Sequence, residues 1–177
     1  MAGTGIGISL GSGSFTVSNT GATAKISGDL VQRVVAASTT VTTGATVLPV
    51  DNTPPQITEG NQFLVATHKP TASGNKLLVK VLVNGSQSAG NCAMALYAST
   101  TAASSSAVSA TTISAGAGGQ STEMVLNYAT TTADVASVTW IVRAGGAAGT
   151  FTLNGQGAAG LFGNLLQSYI VIDEVQN

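Results

Sequence analysis

The chain has one histidine, His68, one cysteine, Cys92, and seven carboxylates: Asp29, Asp51, Glu59, Glu123, Asp134, Asp173 and Glu174. A Ser–His–Asp triad would have to use His68, which stands beside Lys69-Pro70 in a stretch that reads as a turn, with no nucleophile-elbow motif elsewhere. His68 is therefore expected to be a polar turn residue. One His and one Cys far apart, with no C-x-x-C or H-x-x-x-H, do not make a zinc site. Cys92 lies in the apolar run Cys92-Ala93-Met94-Ala95-Leu96 and reads as a small buried hydrophobe. A single cysteine excludes an intramolecular disulfide and suits a reducing site of synthesis.

The carboxylates are no more promising. Asp173 and Glu174 are adjacent on an expected strand, so they point to opposite faces and cannot form the paired acids of a glycosidase. Asp51 and Glu59 flank Pro54-Pro55, but no Asp-rich loop supplies the clustered oxygens of a calcium site. Gly155-Gln156-Gly157-Ala158-Ala159-Gly160 matches G-x-G-x-x-G without the βαβ context that phosphate binding needs. It and the glycine-rich stretch 115–119 read as turns. Tyr128 and Trp140 could stack on sugar rings, yet Trp140 alternates with Val138 and Val142 and reads as core. No catalytic, cofactor-binding or metal-binding residue is expected, no cofactor is implied, and the chain does not read as an enzyme.

Composition explains where such a chain could live. Only 7% of its 177 residues are charged, 22 are Gly, aromatics are 5%, and the formal net charge is −1. Soluble domains typically carry ~25% charged residues. A free monomer with so few would be poorly protected against self-association. Much of the surface is therefore expected to meet copies of the chain or a larger particle. The charge balance offers nothing to nucleic acid or an anionic membrane. No apolar run approaches the ~18 residues of a spanning helix, so no membrane insertion is expected. Met1 to Gly7 has neither the basic nor the apolar region of a signal peptide, which implies synthesis in the cytoplasm.

The elements that would carry these residues are strands. In residues 1–48, short apolar alternations such as Ile6-Gly7-Ile8-Ser9-Leu10 and Phe15-Thr16-Val17 are broken by Gly, Ser and Asn. Asp29 to Val35 fits a helical turn or a strand, and the Thr-rich stretch 38–46 favours strand because β-branching restricts helical rotamers. This region has little side-chain bulk and is expected to be an attachment arm or small β region that gains order on a partner. Asp51-Asn52-Thr53-Pro54-Pro55 is a boundary or a loop. Residues 49–177 are expected to form a sandwich. In Lys76 to Val83, Leu77, Val79, Val81 and Val83 share one face and Lys76 and Lys80 the other. Asn84-Gly85 is a turn signal. Strands are also expected at 62–67, 91–98, around 107–113, and at 123–128, 138–143, 151–153 and 168–175, with a long loop over 99–119 and a turn at 144–149. The fold class is all-β: a jelly-roll-like antiparallel β-sandwich with a strand-containing N-terminal arm.

Residues 51 to 175 also resemble a family. Asp51-Asn52-Thr53-Pro54-Pro55-Gln56-Ile57-Thr58-Glu59-Gly60-Asn61-Gln62-Phe63 is similar to an opening found in many tailed-bacteriophage virion proteins. Lys76-Leu77-Leu78-Val79, Trp140-Ile141-Val142-Arg143-Ala144-Gly145, Thr152-Leu153-Asn154-Gly155, Leu161-Phe162-Gly163 and Ser168 to Val175 follow in the same order. The resemblance implies a β-sandwich module of capsid decoration (cement) proteins, head fibres or tail fibres, usually trimeric and without catalytic residues. The implied partners are further copies of the chain in a homotrimer and the major capsid protein or another virion protein. The implied location is the virion surface, after synthesis in the bacterial host cytoplasm. Two alternatives remain: a tail-fibre, receptor-binding tip recognising a host surface glycan through loops 99–119 and 144–149, and a secreted carbohydrate-binding module.

Overall fold

The structure, a computed structural model, describes residues 27–99, 106–114 and 119–177. Among them there is no helix, and every regular element is a strand. The strands are β1 (Leu30–Ser38), β2 (Thr42–Gly44), β3 (Asn61–His68), β4 (Lys76–Ala89), β5 (Cys92–Ser99) and β6 (Ser109–Ile113), then β7 (Ser121–Thr131), β8 (Val138–Gly145), β9 (Ala148–Leu153), β10 (Gly155–Gln156), β11 (Ala159–Gly160) and β12 (Ser168–Val175).

Two antiparallel sheets face each other. The large sheet runs β1-β12-β4, with β7 on the other edge of β4. The small sheet runs β3-β8-β5-β6. The last strand lies between β1 and β4, and β8 between β3 and β5, so the chain crosses from sheet to sheet as a jelly roll does. The fourteen residues of β4 make it the hub. Along one edge it pairs with β7 from Lys76 to Ser86. Along the other it pairs first with β12, up to Leu82, and then with β9, from Gly85. The short β2 extends the sheet beyond β9.

Alternation decides what is core. Leu77, Val79, Val81 and Val83 of β4 meet Met124 and Leu126 of β7, Ile170 and Ile172 of β12, and the small sheet's Leu64, Met94, Leu96, Trp140 and Val142. Lys76 and Lys80 stand on the opposite, exposed face, as the sequence predicts. Cys92 is wholly buried in this core as a free thiol.

The structure corrects two expectations. Asn84-Gly85 is not a turn; it lies inside β4. Asn-Gly favours a turn locally, but a side chain 66 positions later in sequence overrides it. The Phe151 ring fills the space where a Cβ on residue 85 would sit, so glycine is there to admit the ring. The boundary at 48/49 does not separate residues 30–48 from the sandwich. β1 pairs with β12 from Leu30↔Val175 to Ser38↔Ser168, and Thr42 to Gly44 pair with β9. Residues 1–26 of the expected arm lie outside the described residues.

The diproline segment is a covering loop. Leu48 is buried with Ala93, Ala95 and Tyr97 on the outer face of the small sheet, where β5 would otherwise expose a second apolar face. The loop is fastened by Gly60 N–H to Val47 O (2.8 Å), Leu48 N–H to Gly146 O (3.1 Å) and Tyr97 Oη–H to Gln56 O (2.8 Å). Burial pushes the Tyr97 phenol up to about 12, so it stays a donor. Arg143 holds the loop's carbonyls through Nε to Glu59 O (2.8 Å) and Nη2 to Gly60 O (2.6 Å).

Gly85→Ala is expected to lower the unfolding free energy by about 1–3 kcal/mol through overpacking against Phe151, read by urea or thermal unfolding. An unchanged midpoint would show that the ring has room to move.

Candidate functional site

Two titratable residues, His68 and Glu174, come together between the two sheets at one end of the sandwich. His68, the last residue of β3, points inward with Leu64 and Ala66. Glu174 points inward from β12 with Ile170 and Ile172. Both side chains are fully buried, and His68 Nε2 lies 3.0 Å from Glu174 Oε2. The carboxylate can only accept, so Nε2–H is the donor. Glu174 also accepts from the Thr71 amide (2.9 Å to Oε1), the Thr71 hydroxyl (2.7 Å) and Asn75 Nδ2 (2.6 Å). With its amide nitrogen turned inward, Gln32 of β1 donates to Lys69 O at 3.0 Å and to Glu174 Oε2 at 3.3 Å. His68 is thus corrected from a solvated turn residue to a buried link between the sheets. Its acceptor is 106 positions away in sequence, which local reading cannot reach.

Burial pushes the Glu174 carboxyl up, but the hydrogen bonds from Asn75, Thr71 and His68 outweigh it and hold the group below the usual carboxylate range. Asp173 points the other way, as alternation requires. A hydrogen bond from Arg33 is the main cause holding it low, with the Arg33 and Lys80 charges assisting against burial. Arg33 Nε and Nη2 clasp its two oxygens at 2.5 and 2.9 Å. The two neighbouring acids therefore serve separate structural pairs. The His68–Glu174 pair is closed to solvent, and its nearest hydroxyl, that of Thr71, is spent as a donor to the carboxylate.

The other sequence candidates are dispersed. Asp51 accepts from the Thr53 amide and hydroxyl within its own turn, and Glu59 accepts from the Gln56 amide. Among the described residues no group of three His, Cys, Asp or Glu side chains could hold a metal. Trp140 is core, tilted 57° against Tyr128 with ring centres 6.2 Å apart. The G-x-G-x-x-G string is the β10–β11 hairpin, pairing Gly155 with Gly160.

What the surface offers instead is an apolar row on a sheet. On the outer face of the large sheet, Ala37, Tyr169, Leu82 and Val125 stand in register across four strands. The next row on this face reads Val35, Val171, Lys80 and Asn127, and the one after it Arg33, Asp173, Leu78 and Ala129. Val35 is 57% and Val125 50% exposed. Arg33 and Asp173 neutralise each other there. At the end of β12, the turn before Ser168 presents Phe162 and Leu165, among the most exposed large apolar side chains described, and Phe162 has a left-handed φ of 51°. The turn expected from sequence covers Gly155 to Gly160 and stops short of Phe162.

No protein-family model matches the chain, and no curated protein sequence matches it. Solved structures do resemble it. Eiger TNF from S. frugiperda aligns over 82% of this chain and 94% of that one, at 12% identity and a TM-score of 0.50. Dimeric latent PorU from Porphyromonas gingivalis aligns over 89% of this chain at 9% identity and a TM-score of 0.42, and a chain of the T13 IBDV viral particle over 96% at 13% and 0.39. The chain spans 14% of the PorU chain and 39% of the viral one. The first likeness, at that identity, speaks to fold alone. The chain is an all-β, jelly-roll-like antiparallel sandwich.

Glu174→Ala is expected to cost about 3 kcal/mol of stability, because it strands the buried donors of Asn75 and His68 and frees those of the more exposed Thr71. Both acids sit lower in the folded state, so the unfolded chain binds more protons. Their contribution is complete above roughly pH 5 and fades as pH falls below about 4. Urea midpoints measured across pH 3–7 should rise with pH in the wild type and less steeply in Glu174→Ala; parallel curves would remove Glu174 from this role. Burial raises the Cys92 thiol, so a thiol reagent should label it only after denaturation.

Proposed function

We propose that the chain is a non-enzymatic structural protein of a bacteriophage virion. In this reading it forms a homotrimer on the outer particle surface. It acts as a capsid decoration (cement) protein or short head fibre, docks through its N-terminal region onto the major capsid protein, and strengthens the capsid. The observation that carries the reading is the outer face of the large sheet. In a chain with so few charges, an in-register apolar row is left uncovered by the described residues, and scattered single hydrophobes would not need that explanation. Closed association of identical copies removes such a face from water. Each buried Val or Leu contributes about 1.5–3 kcal/mol relative to exposure, while Lys76 and Lys80 can lay their apolar stems along the face and keep their ammonium groups in water.

The ordered resemblance of residues 51–175 to phage virion modules supports the particle context. The exposed Phe162 favours a second reading, a receptor-binding tip, because a displayed aromatic suits transient contact with a partner.

Sedimentation of the full chain is expected to give a trimer. Val125→Glu, at an exposed position where the fold tolerates charge, should weaken association at least about tenfold. Lys80→Glu tests the same face, since it leaves the fold intact if the face is solvated and breaks the assembly if the face is buried between copies. Particles lacking the protein should lose heat or osmotic resistance, and images should show its density on the capsid lattice. A monodisperse monomer unaffected by Val125→Glu overturns the trimer, and density confined to the tail overturns the cement role in favour of the tip.

A further inference from the structure

A second feature of the large sheet lies beyond the apolar rows, where β9 replaces β12 beside β4. Ser86 pairs directly with Thr152 on one side and with Ser121 on the other, and Thr152 pairs with Thr43. Directly opposed residues of an antiparallel sheet share a face, so four hydroxyls run in register across β2, β9, β4 and β7. Ser88 and Thr150 form the next row, joined by the Thr150 amide donating to Ser88 Oγ at 2.8 Å. The β10–β11 hairpin overhangs them. Gln156, Gly157 and Ala158 line the far wall of a groove of about 440 Å³, with Ser86, Ser88, Thr150 and Thr152 on the near side.

Ser86 is the informative residue. It is only 2% exposed, yet its hydroxyl makes no hydrogen bond with any described residue, and it lines the groove. Thr152, equally buried, accepts from the Ala158 amide at 3.2 Å and keeps its own proton to donate. Ser86 Oγ is not among the sealed, unpartnered polar atoms of the described residues, so the hydroxyl opens onto the groove, where it can donate to and accept from an occupant in place of water.

We propose that this groove binds a neutral saccharide. Its size falls within the ~300–1,000 Å³ of small-ligand sites. Hydroxyls and the Gln156 amide both donate and accept, which matches the mixed demand of sugar hydroxyls. None of the lining residues is charged, so an ionic ligand would lose hydration with nothing in return. The Ala158 methyl and the glycine backbone at 119 and 157 add weakly apolar lining that the C–H face of a ring can meet. The site does not depend on trimer formation; it would equip the chain to hold a surface glycan in any oligomeric state.

The test is an amide-resolved NMR titration of the full chain with glucose, galactose and N-acetylglucosamine, alongside an array of neutral and sialylated oligosaccharides. A neutral sugar should shift the amides of Gly119, Thr152, Gly157 and Ala158. Ser86→Ala should weaken binding roughly fivefold to tenfold with the unfolding temperature unchanged, since its hydroxyl supports nothing else in the fold. Gln156→Trp, from an exposed position, should fill the groove and abolish binding. The proposal is overturned if no neutral sugar moves those amides, if both variants bind as the wild type does, or if only sialylated glycans bind. It is equally overturned if Gln156→Trp changes the oligomer mass while no sugar binds, which would mark the groove as a contact between copies.

Discussion

One strand must satisfy three neighbours. β4 gives one edge to β7 from Lys76 to Ser86 and divides the other between β12, up to Leu82, and β9, from Gly85, while its side chains still alternate. That alternation fixes the whole large sheet. A shift of one residue would turn Val79 and Val81 outward and bring Lys80 into the core. The cost of burying a lysine without a partner is the physical reason the register is unique. Gly85 belongs to the same constraint: only a residue without a side chain lets β4 continue past the Phe151 ring and reach β9.

β12 is held by polar groups at both of its ends. At its start, the Ser168 hydroxyl donates to Asn154 Oδ1 at 2.7 Å and accepts from the Asn84 amide at 2.9 Å. Near its finish, Glu174 gathers the β3–β4 loop and His68. Between them lie Ile170 and Ile172. Hydrophobic burial drives the sheets together, while the directional bonds at the two ends select one placement of the strand among several that would bury similar area. Such groups favour specificity more than raw stability, and they leave the middle of the sandwich free to be wholly apolar.

Much of this was legible in the sequence, and the failures have a common cause. The Lys76–Val83 alternation, the core placement of Trp140, the opposed directions of Asp173 and Glu174, and the turn character of the G-x-G-x-x-G string follow from local periodicity and were readable. The jelly-roll class followed from the number and spacing of strands. His68, Asn84-Gly85 and the hydroxyl row were not readable, because each takes its meaning from a residue far along the chain: Glu174, Phe151 and Thr152. The covering role of Leu48 and Gln56 was hidden for the same reason. Diproline spacing announces irregular backbone but not what that backbone lies upon.

The way the polypeptide enters and leaves the sandwich has a practical side. The Gly28 amide donates to Gln176 O, and the Gln176 amide donates to Asp29 O, at 2.7 and 2.8 Å. Entry and exit are thus stitched side by side at one rim, opposite the Phe162 end of β12. A short linker could join Gly28 to Gln176 in a permuted chain made without residues 1–27. By the same geometry, cargo fused after Asn177 would emerge beside the incoming chain, leaving the Phe162 pole clear for presentation.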